Sequence, residues 1–338
     1  MYPTSLFITT LTLNTFNVAY FRGSVENITL AEIQEVVNQQ RKTIKREMED
    51  YEYPNGNELE DLVMEKGGRP MRSVILTSWR SGSTFLGDVV NAHPANFYHY
   101  EPLLDFGIVQ IRGPPLADEA IGNLESLLKC DFSNLGNFIS IDTDIWNTVK
   151  FIKRFVGIHV LFPNFQRSFW NKKRVRLVLL IRDPRGILQS RKHREWCPTK
   201  PDCSDPALVC ADMVSDFSAA VRLIKKYPRT FRVVRYEDLS VDPYRHVKEL
   251  YNFYGLDFHI NVKRFLDTHT KSDVGGVSST FRNSKVAPFH WRTDLDFKEV
   301  DEIQRVCAAA MRLWGYVIAL NATHQREFDP LSEYQLQL

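Results

Sequence analysis

Two stretches of this chain combine cations, hydroxyls and a turn at the end of a buried strand, the chemistry needed to hold a phosphate-like anion. The first is Arg72-Ser73-Val74-Ile75-Leu76-Thr77-Ser78-Trp79-Arg80-Ser81-Gly82-Ser83-Thr84-Phe85-Leu86-Gly87. Val74 to Leu76 form an apolar run without polar alternation, as in a strand buried on both faces. Small and hydroxylated residues follow, and Phe85 to Val90 reads as the start of a helix. A helix N-terminus offers free N–H groups and partial positive charge to the loop before it. Arg80 adds a full charge, and Ser81, Ser83 and Thr84 add hydroxyl donors. The second stretch, Val175 to Arg191, repeats this grammar: an apolar run to Ile181, then Arg182-Asp183-Pro184-Arg185, then a helix start. Arg182 leaves the strand end, and Ser190 lies about two helical turns further on. A lone Arg after a strand would ordinarily be a salt-bridge partner. Two cationic turns of the same design favour one ligand with two anionic ends.

A proton acceptor is the other chemical requirement. Phe97 to Tyr100 reads as a short strand running into Glu101-Pro102. A carboxylate at a strand end beside the first loop faces the ligand region of an open α/β sheet. By alternation His99 points the same way as Glu101, whereas His93 reads as a helix-end cap. Residues 274–284 are small and flexible around Arg282 and suit a loop closing over a ligand, with a plain surface loop as the bland alternative.

The elements that must carry these residues follow from pattern. A helix is expected over Phe85 to Ala92, stopped by His93-Pro94, and another over Leu116 to Leu128. An amphipathic helix over Met213 to Lys226 turns Phe217, Val221 and Ile224 inward. A third strand runs Phe231 to Leu239, and Asp242-Pro243 opens a helix through Tyr251 and Tyr254. In a last helix, Phe297 to Trp314, the inward face is Val300, Ile303, Val306, Cys307, Met311 and Trp314. Three strand–helix units in one direction imply a parallel sheet. The aromatic and basic residues from Phe151 to Lys173 are better explained by core packing and surface charge than by an acceptor groove.

At 338 residues and a net charge of +2, the chain can bury a large core, and nothing global points to nucleic acid. Residues 1–21 read as a weak signal-anchor or a truncated one, being apolar but short of the ~20 residues of a span and without a basic flank. Residues 22–70 read as a stem, with Ile33, Val37, Ile44 and Met48 on one helical stripe. A solvated tether is favoured there, and a coil that dimerises the chain stays open. Residues 71–320 form the domain and 321–338 a tail. Sequons at Asn27 and Asn321 fit a lumenal chain. Five cysteines are too few for a disulfide scaffold. A local disulfide among Cys197, Cys203 and Cys210 suits an oxidising lumen, and zinc is disfavoured because no His stands among them at finger spacing. The pairing of these three with Cys130 and Cys307 is left open.

The first loop is similar to a P-loop with an informative departure. With Gly82 on the second P-loop glycine, Ser83 falls where the Lys should be and Thr84 on the usual Ser/Thr. A nucleoside triphosphate with Mg²⁺ needs that Lys and a strand-end Asp. A sulfuryl group carries less charge, so hydroxyls, amides and an Arg suffice without metal. These residues resemble the carbohydrate sulfotransferases of the Golgi, most closely the branch that sulfates the 6-hydroxyl of N-acetylglucosamine, galactose or N-acetylgalactosamine. Thr77 to Phe85 looks like that family's 5′-phosphosulfate loop and Leu180 to Ser190 its 3′-phosphate segment. Tyr98 to Pro102 resembles its aromatic-x-Glu-Pro element, and Arg235-Tyr236-Glu237-Asp238-Leu239 a strand shared by sulfotransferases. Arg282 to Arg292, with Cys307 to Tyr316, resembles its C-terminal signature.

The resemblance implies a P-loop-like three-layer α/β/α fold with a central parallel sheet, and 3′-phosphoadenosine 5′-phosphosulfate (PAPS) as sulfuryl donor with no metal. It implies donor contacts from Arg80, Ser81, Gly82, Ser83, Thr84, Phe85, Arg182, Ser190, Tyr236 and Arg282. Glu101 is the first choice of base, His99 the second, and Arg80 a charge stabiliser. The expected partner is a glycan or glycoprotein, in the Golgi lumen behind a type II membrane anchor. A P-loop kinase and a catalytically inactive nucleotide-binding module are the rival readings.

Overall fold

The computed structural model describes residues 71–96, 98, 101–103, 106–129, 175–274 and 279–337, together with single residues between 31 and 51. Residues 1–21, read as a signal-anchor, most of the expected stem, His99, Cys130 and the Phe151 to Lys173 stretch lie outside them. Among the described residues no helix is long and apolar enough to cross a membrane.

Three parallel strands lie in the order β1-β2-β3: β1 Arg72–Leu76, β2 Val175–Ile181 and β3 Phe231–Arg235. Leu76 pairs with Leu179, and Ile181 with Arg235, so the carboxyl ends of all three strands reach one edge. The helices in chain order are α1 Ser83–Asn91, α2 Leu116–Leu127, α3 Pro184–Lys192, α4 Pro201–Ser204, α5 Pro206–Lys226, α6 Tyr236–Val241, α7 Pro243–Tyr254, α8 Ile260–His269, α9 Trp291–Asp294, α10 Phe297–Val306, α11 Ala308–Leu313 and α12 Ala322–Glu327.

Alternation along the strands divides the core into two. Val74, Leu76, Leu177 and Leu179 face a cluster with α2, α5, α10 and α11. Ile75, Val178 and Leu180 face a second cluster with α1, α7 and α8. Period-two side chains with helices on both faces make the expected three layers.

Four expectations need correction. Tyr98 is not in a strand: it is buried against α1, where a Cβ on Gly87 would stand 1.5 Å from its phenol oxygen. Glu101 is itself outside any strand, with left-handed backbone at φ +38°. The third strand stops at Arg235, and Tyr236 to Leu239 turn into α6. Arg235 there pairs with Asp238 at 2.8 Å, and the buried Glu237 turns inward to accept from Asp183 N at 2.9 Å. The amphipathic helix begins at Pro206 and not at Met213, because Asp205 caps it by accepting from Ala207 N at 2.8 Å and Pro206 takes its first position. The last helix breaks at Cys307, and Val306 is 47% exposed instead of inward.

Cys307 is bonded to Cys210, and Cys197 to Cys203. The local disulfide thus exists, while Cys210 reaches a partner 97 residues away. Residues beyond 315 pack back on the domain. Tyr316 bridges to Leu331, Leu331 and Tyr334 lie against the first core cluster, and Arg235 Nη1 donates to Ser332 O at 2.8 Å.

Candidate active site

The loop between β1 and α1 is shaped from within. Ser81 N donates to Ser78 O at 3.2 Å, and the buried Ser78 and Ser81 hydroxyls lie 2.8 Å apart. Arg80 and Gly82 both adopt left-handed backbone, at φ +68° and +94°. At Gly82 a Cβ would stand 2.2 Å from the Tyr236 ring, so both the conformation and the close approach require glycine. Gly82 is the N-cap of α1 and brings no side-chain cap. The first-turn N–H groups of α1 are left for a ligand at the cleft.

The second turn meets the first. Arg80 Nε donates to Ser190 Oγ at 3.1 Å, and Arg182 Nη1 donates to Arg80 O at 2.8 Å. The Arg182 guanidinium lies 4.8 Å over the Tyr236 ring, which itself abuts Gly82. The other arginine of the turn behaves differently. Arg185 is fully buried, paired with Asp183 at 2.7 Å, bonded to Gln304 and Val317 O, and 4.1 Å from the Trp291 ring centroid. Its charge is neutralised inside the fold, whereas Arg182 borders open space.

That space is a cleft of about 480 Å³, large enough for a nucleotide. Of the residues singled out from sequence, Arg80, Gly82, Ser83, Thr84 and Phe85 line it from the first loop, Arg182 and Ser190 from the second, and Glu101, Tyr236 and Arg282 from elsewhere. Ser81 does not line it, because its hydroxyl is turned inward to Ser78. His93 is also removed from it: the ring is buried, 3.0 Å from Asp257, and burial lowers its pKa. The cleft fits an anionic nucleotide on two observations. It gathers the guanidinium groups of Arg80, Arg182 and Arg282, and Arg182 Nε is buried with no hydrogen-bond partner among the described residues.

Other residues at the site were given no individual role by the sequence. Glu237 is wholly buried beneath the second turn, where it accepts from Asp183 N and from Tyr316 Oη at 3.1 Å. Burial and then the neighbouring Asp183 push its carboxyl up to about 7. Arg191 is buried too. It donates to Trp79 O and to Cys203 O, each at 2.9 Å, and burial pushes it down to about 9. His269 lines the cleft, stacked between Phe265 and Phe281 at 3.9 and 3.8 Å, and burial lowers its pKa. Trp79, Trp196 and residues 106–111 form a further wall. The burial of Arg191 and Glu237 depends on contacts between distant segments, which spacing does not encode.

The parallel sheet between two helical layers, with a glycine-cornered, arginine-lined cleft at the strand ends, is the α/β architecture expected from the sequence. The chain belongs to the sulfotransferase domain family, whose profile matches residues 70–315, and it is a transferase. It is 26% identical over 329 residues to carbohydrate sulfotransferase 5 of Homo sapiens, covering 75% of this chain and 79% of that protein. Carbohydrate sulfotransferase 1 of Homo sapiens is 25% identical over 353 residues, 78% of this chain and 86% of that protein. Carbohydrate sulfotransferase 3 of Homo sapiens is 28% identical over 166 residues, 44% of this chain and 35% of that protein.

Proposed function

We propose that the protein transfers the sulfuryl group of PAPS to a sugar hydroxyl in a glycan, and that, following the sequence resemblance, this is the 6-hydroxyl of N-acetylglucosamine or galactose. The observation that carries this is the joined pair of cationic turns, Arg80 bonded to Ser190 and Arg182 bonded to the Arg80 carbonyl, at one cleft. One ligand with two anionic ends suits that clamp, and the absence of a P-loop Lys favours sulfuryl over phosphoryl transfer.

The donor supplies an electrophilic sulfur and a bisphosphate leaving group. Arg80, Gly82, Ser83, Thr84 and Phe85 hold the 5′-phosphosulfate end, and Arg80 with the α1 N–H groups stabilises charge growing on the bridging oxygen. Arg182 and Ser190 hold the 3′-phosphate, with Arg282 a third contact and Tyr236 beside the adenine. The acceptor oxygen bonds to sulfur as the bond to the 5′-phosphate breaks, and the leaving bisphosphate keeps the electron pair. Glu101 takes the hydroxyl proton; His99 is the second candidate. The two disulfides support an oxidising compartment, consistent with the Golgi lumen.

Transfer of labelled sulfate from PAPS to a glycan panel, in the presence of a chelator, tests the reading. Transfer that persists is expected. Loss on chelation would favour the P-loop kinase reading, and PAPS binding without transfer the inactive module. Glu101→Gln should lower turnover by roughly 10²–10⁴ and leave PAPS affinity unchanged; undiminished turnover would remove Glu101 from the role.

A further inference from the structure

One wall of the cleft is apolar and takes no part in the anion clamp. Trp196 is 39% exposed and Val109 38% exposed, both at the cleft, with Ile108 and Trp79 beside them. Scattered exposed apolar residues need no explanation. These share one cleft with the donor loop, and Trp196 stands edge-on to Trp79 at 6.3 Å. Trp79 immediately precedes Arg80, so the wall adjoins the sulfuryl end of the clamp.

The wall is also built to stay in place. Cys197, next to Trp196, is bonded to Cys203, and Arg191 joins Cys203 O to Trp79 O. The facing segment is tied to the same short helix α4. Asp202 accepts from Gln110 N at 2.9 Å and from Arg112 Nη1 at 2.6 Å, while Arg112 forks onto Asp212 at 2.9 and 3.0 Å. Asp202 thus ties this segment to the short helix whose Cys203 is bonded to the neighbour of Trp196. Rigid exposed aromatic surface is preorganised for binding, since little side-chain freedom remains to be lost.

We infer that the Trp196–Val109 wall is the acceptor platform, on which the apolar C–H face of a pyranose ring stacks so that its hydroxyl turns toward Arg80 and Glu101. This rests on the sugar-hydroxyl reading above. The polarised C–H groups of a sugar face suit the negative face of an indole, and Val109 extends the apolar area to a neighbouring ring.

Two measurements separate this inference from the reading beneath it. Wild-type protein that sulfates no member of a panel of N-acetylglucosamine, galactose and N-acetylgalactosamine disaccharides would count against the carbohydrate reading itself. The platform is scored by titrating the same disaccharides into protein loaded with 3′,5′-adenosine bisphosphate, followed by tryptophan fluorescence. A saturable signal is expected in the wild type, weakened at least tenfold by Trp196→Ala and kept within about threefold by Trp196→Phe, with bisphosphate affinity unchanged in both variants. Equal disaccharide affinity in wild type and Trp196→Ala would overturn the platform, as would no binding by either or a parallel loss of bisphosphate affinity.

Discussion

Arg182 does two things that a lysine could not combine. Its Nη1 reaches the Arg80 carbonyl, and its Nε remains buried and unbonded among the described residues. A lysine has one nitrogen on a flexible stem and no fixed fork. Arg182→Lys should therefore weaken bisphosphate binding by more than tenfold, given about 1.5–3 kcal/mol for a hydrogen bond to a charged group. Calorimetric titration checks this, and an affinity within twofold of wild type would disprove it. Arg182 was legible because the strand–turn–helix grammar fixes where a residue leaves a strand. The opposite fate of Arg185, and the inward turn of the Ser81 hydroxyl, were not. Residue type names a donor without saying which way it points: Arg185 is turned inward by partners that include the distant Gln304, and the Ser81 hydroxyl by Ser78 three residues before it in the folded loop.

At the scale of elements, α6 is where local preference lost. Phe231 to Tyr236 is rich in aromatic and β-branched residues, which favours a strand. The chain turns helical at Tyr236 because Glu237 is drawn under the second turn and Arg235 holds Asp238. The remaining strand–helix units, alternating in burial as the pattern required, were readable because a sheet covered on both faces leaves continuous apolar runs. The buried Glu237 has a consequence for pH. Its carboxyl titrates near 7 in the fold, pushed up by burial and Asp183, against an ordinary value of 4.5. The folded state then binds more protons than the unfolded one between those values, so this group lowers stability as pH rises from about 4.5 to 7, with no further loss above. Glu237→Gln, which mimics the protonated form, should show a flatter melting temperature across that window. Thermal scans from pH 5 to 8 would reveal it, and parallel curves for the two proteins would count against the assignment.

For the whole molecule, the Cys210–Cys307 bond ties α5 to the break between α10 and α11 across 97 residues. Closing so long a loop removes much freedom from the unfolded chain. Cys307→Ser should cost about 2–5 kcal/mol and lower the melting temperature by roughly 5–20 °C. Bisphosphate binding should survive at low temperature, since neither cysteine lines the cleft. An unchanged melting temperature in differential scanning calorimetry would contradict this. The cysteine count was visible in the sequence, but the pairing was not, because spacing cannot say which distant segments the sheet brings together.

The guanidinium of Arg235, at the tip of β3, donates to carbonyls of Trp314, Gly315 and Ser332. The farthest of these acceptors lies 97 residues downstream. On the ribosome, at about 5–20 residues per second, it is made roughly 5–20 s after the strand it completes. Throughout that interval a nascent chain already carries both cationic turns, yet the strand beside them lacks its final ties. The third strand is thus fully tied only once Ser332 has been translated.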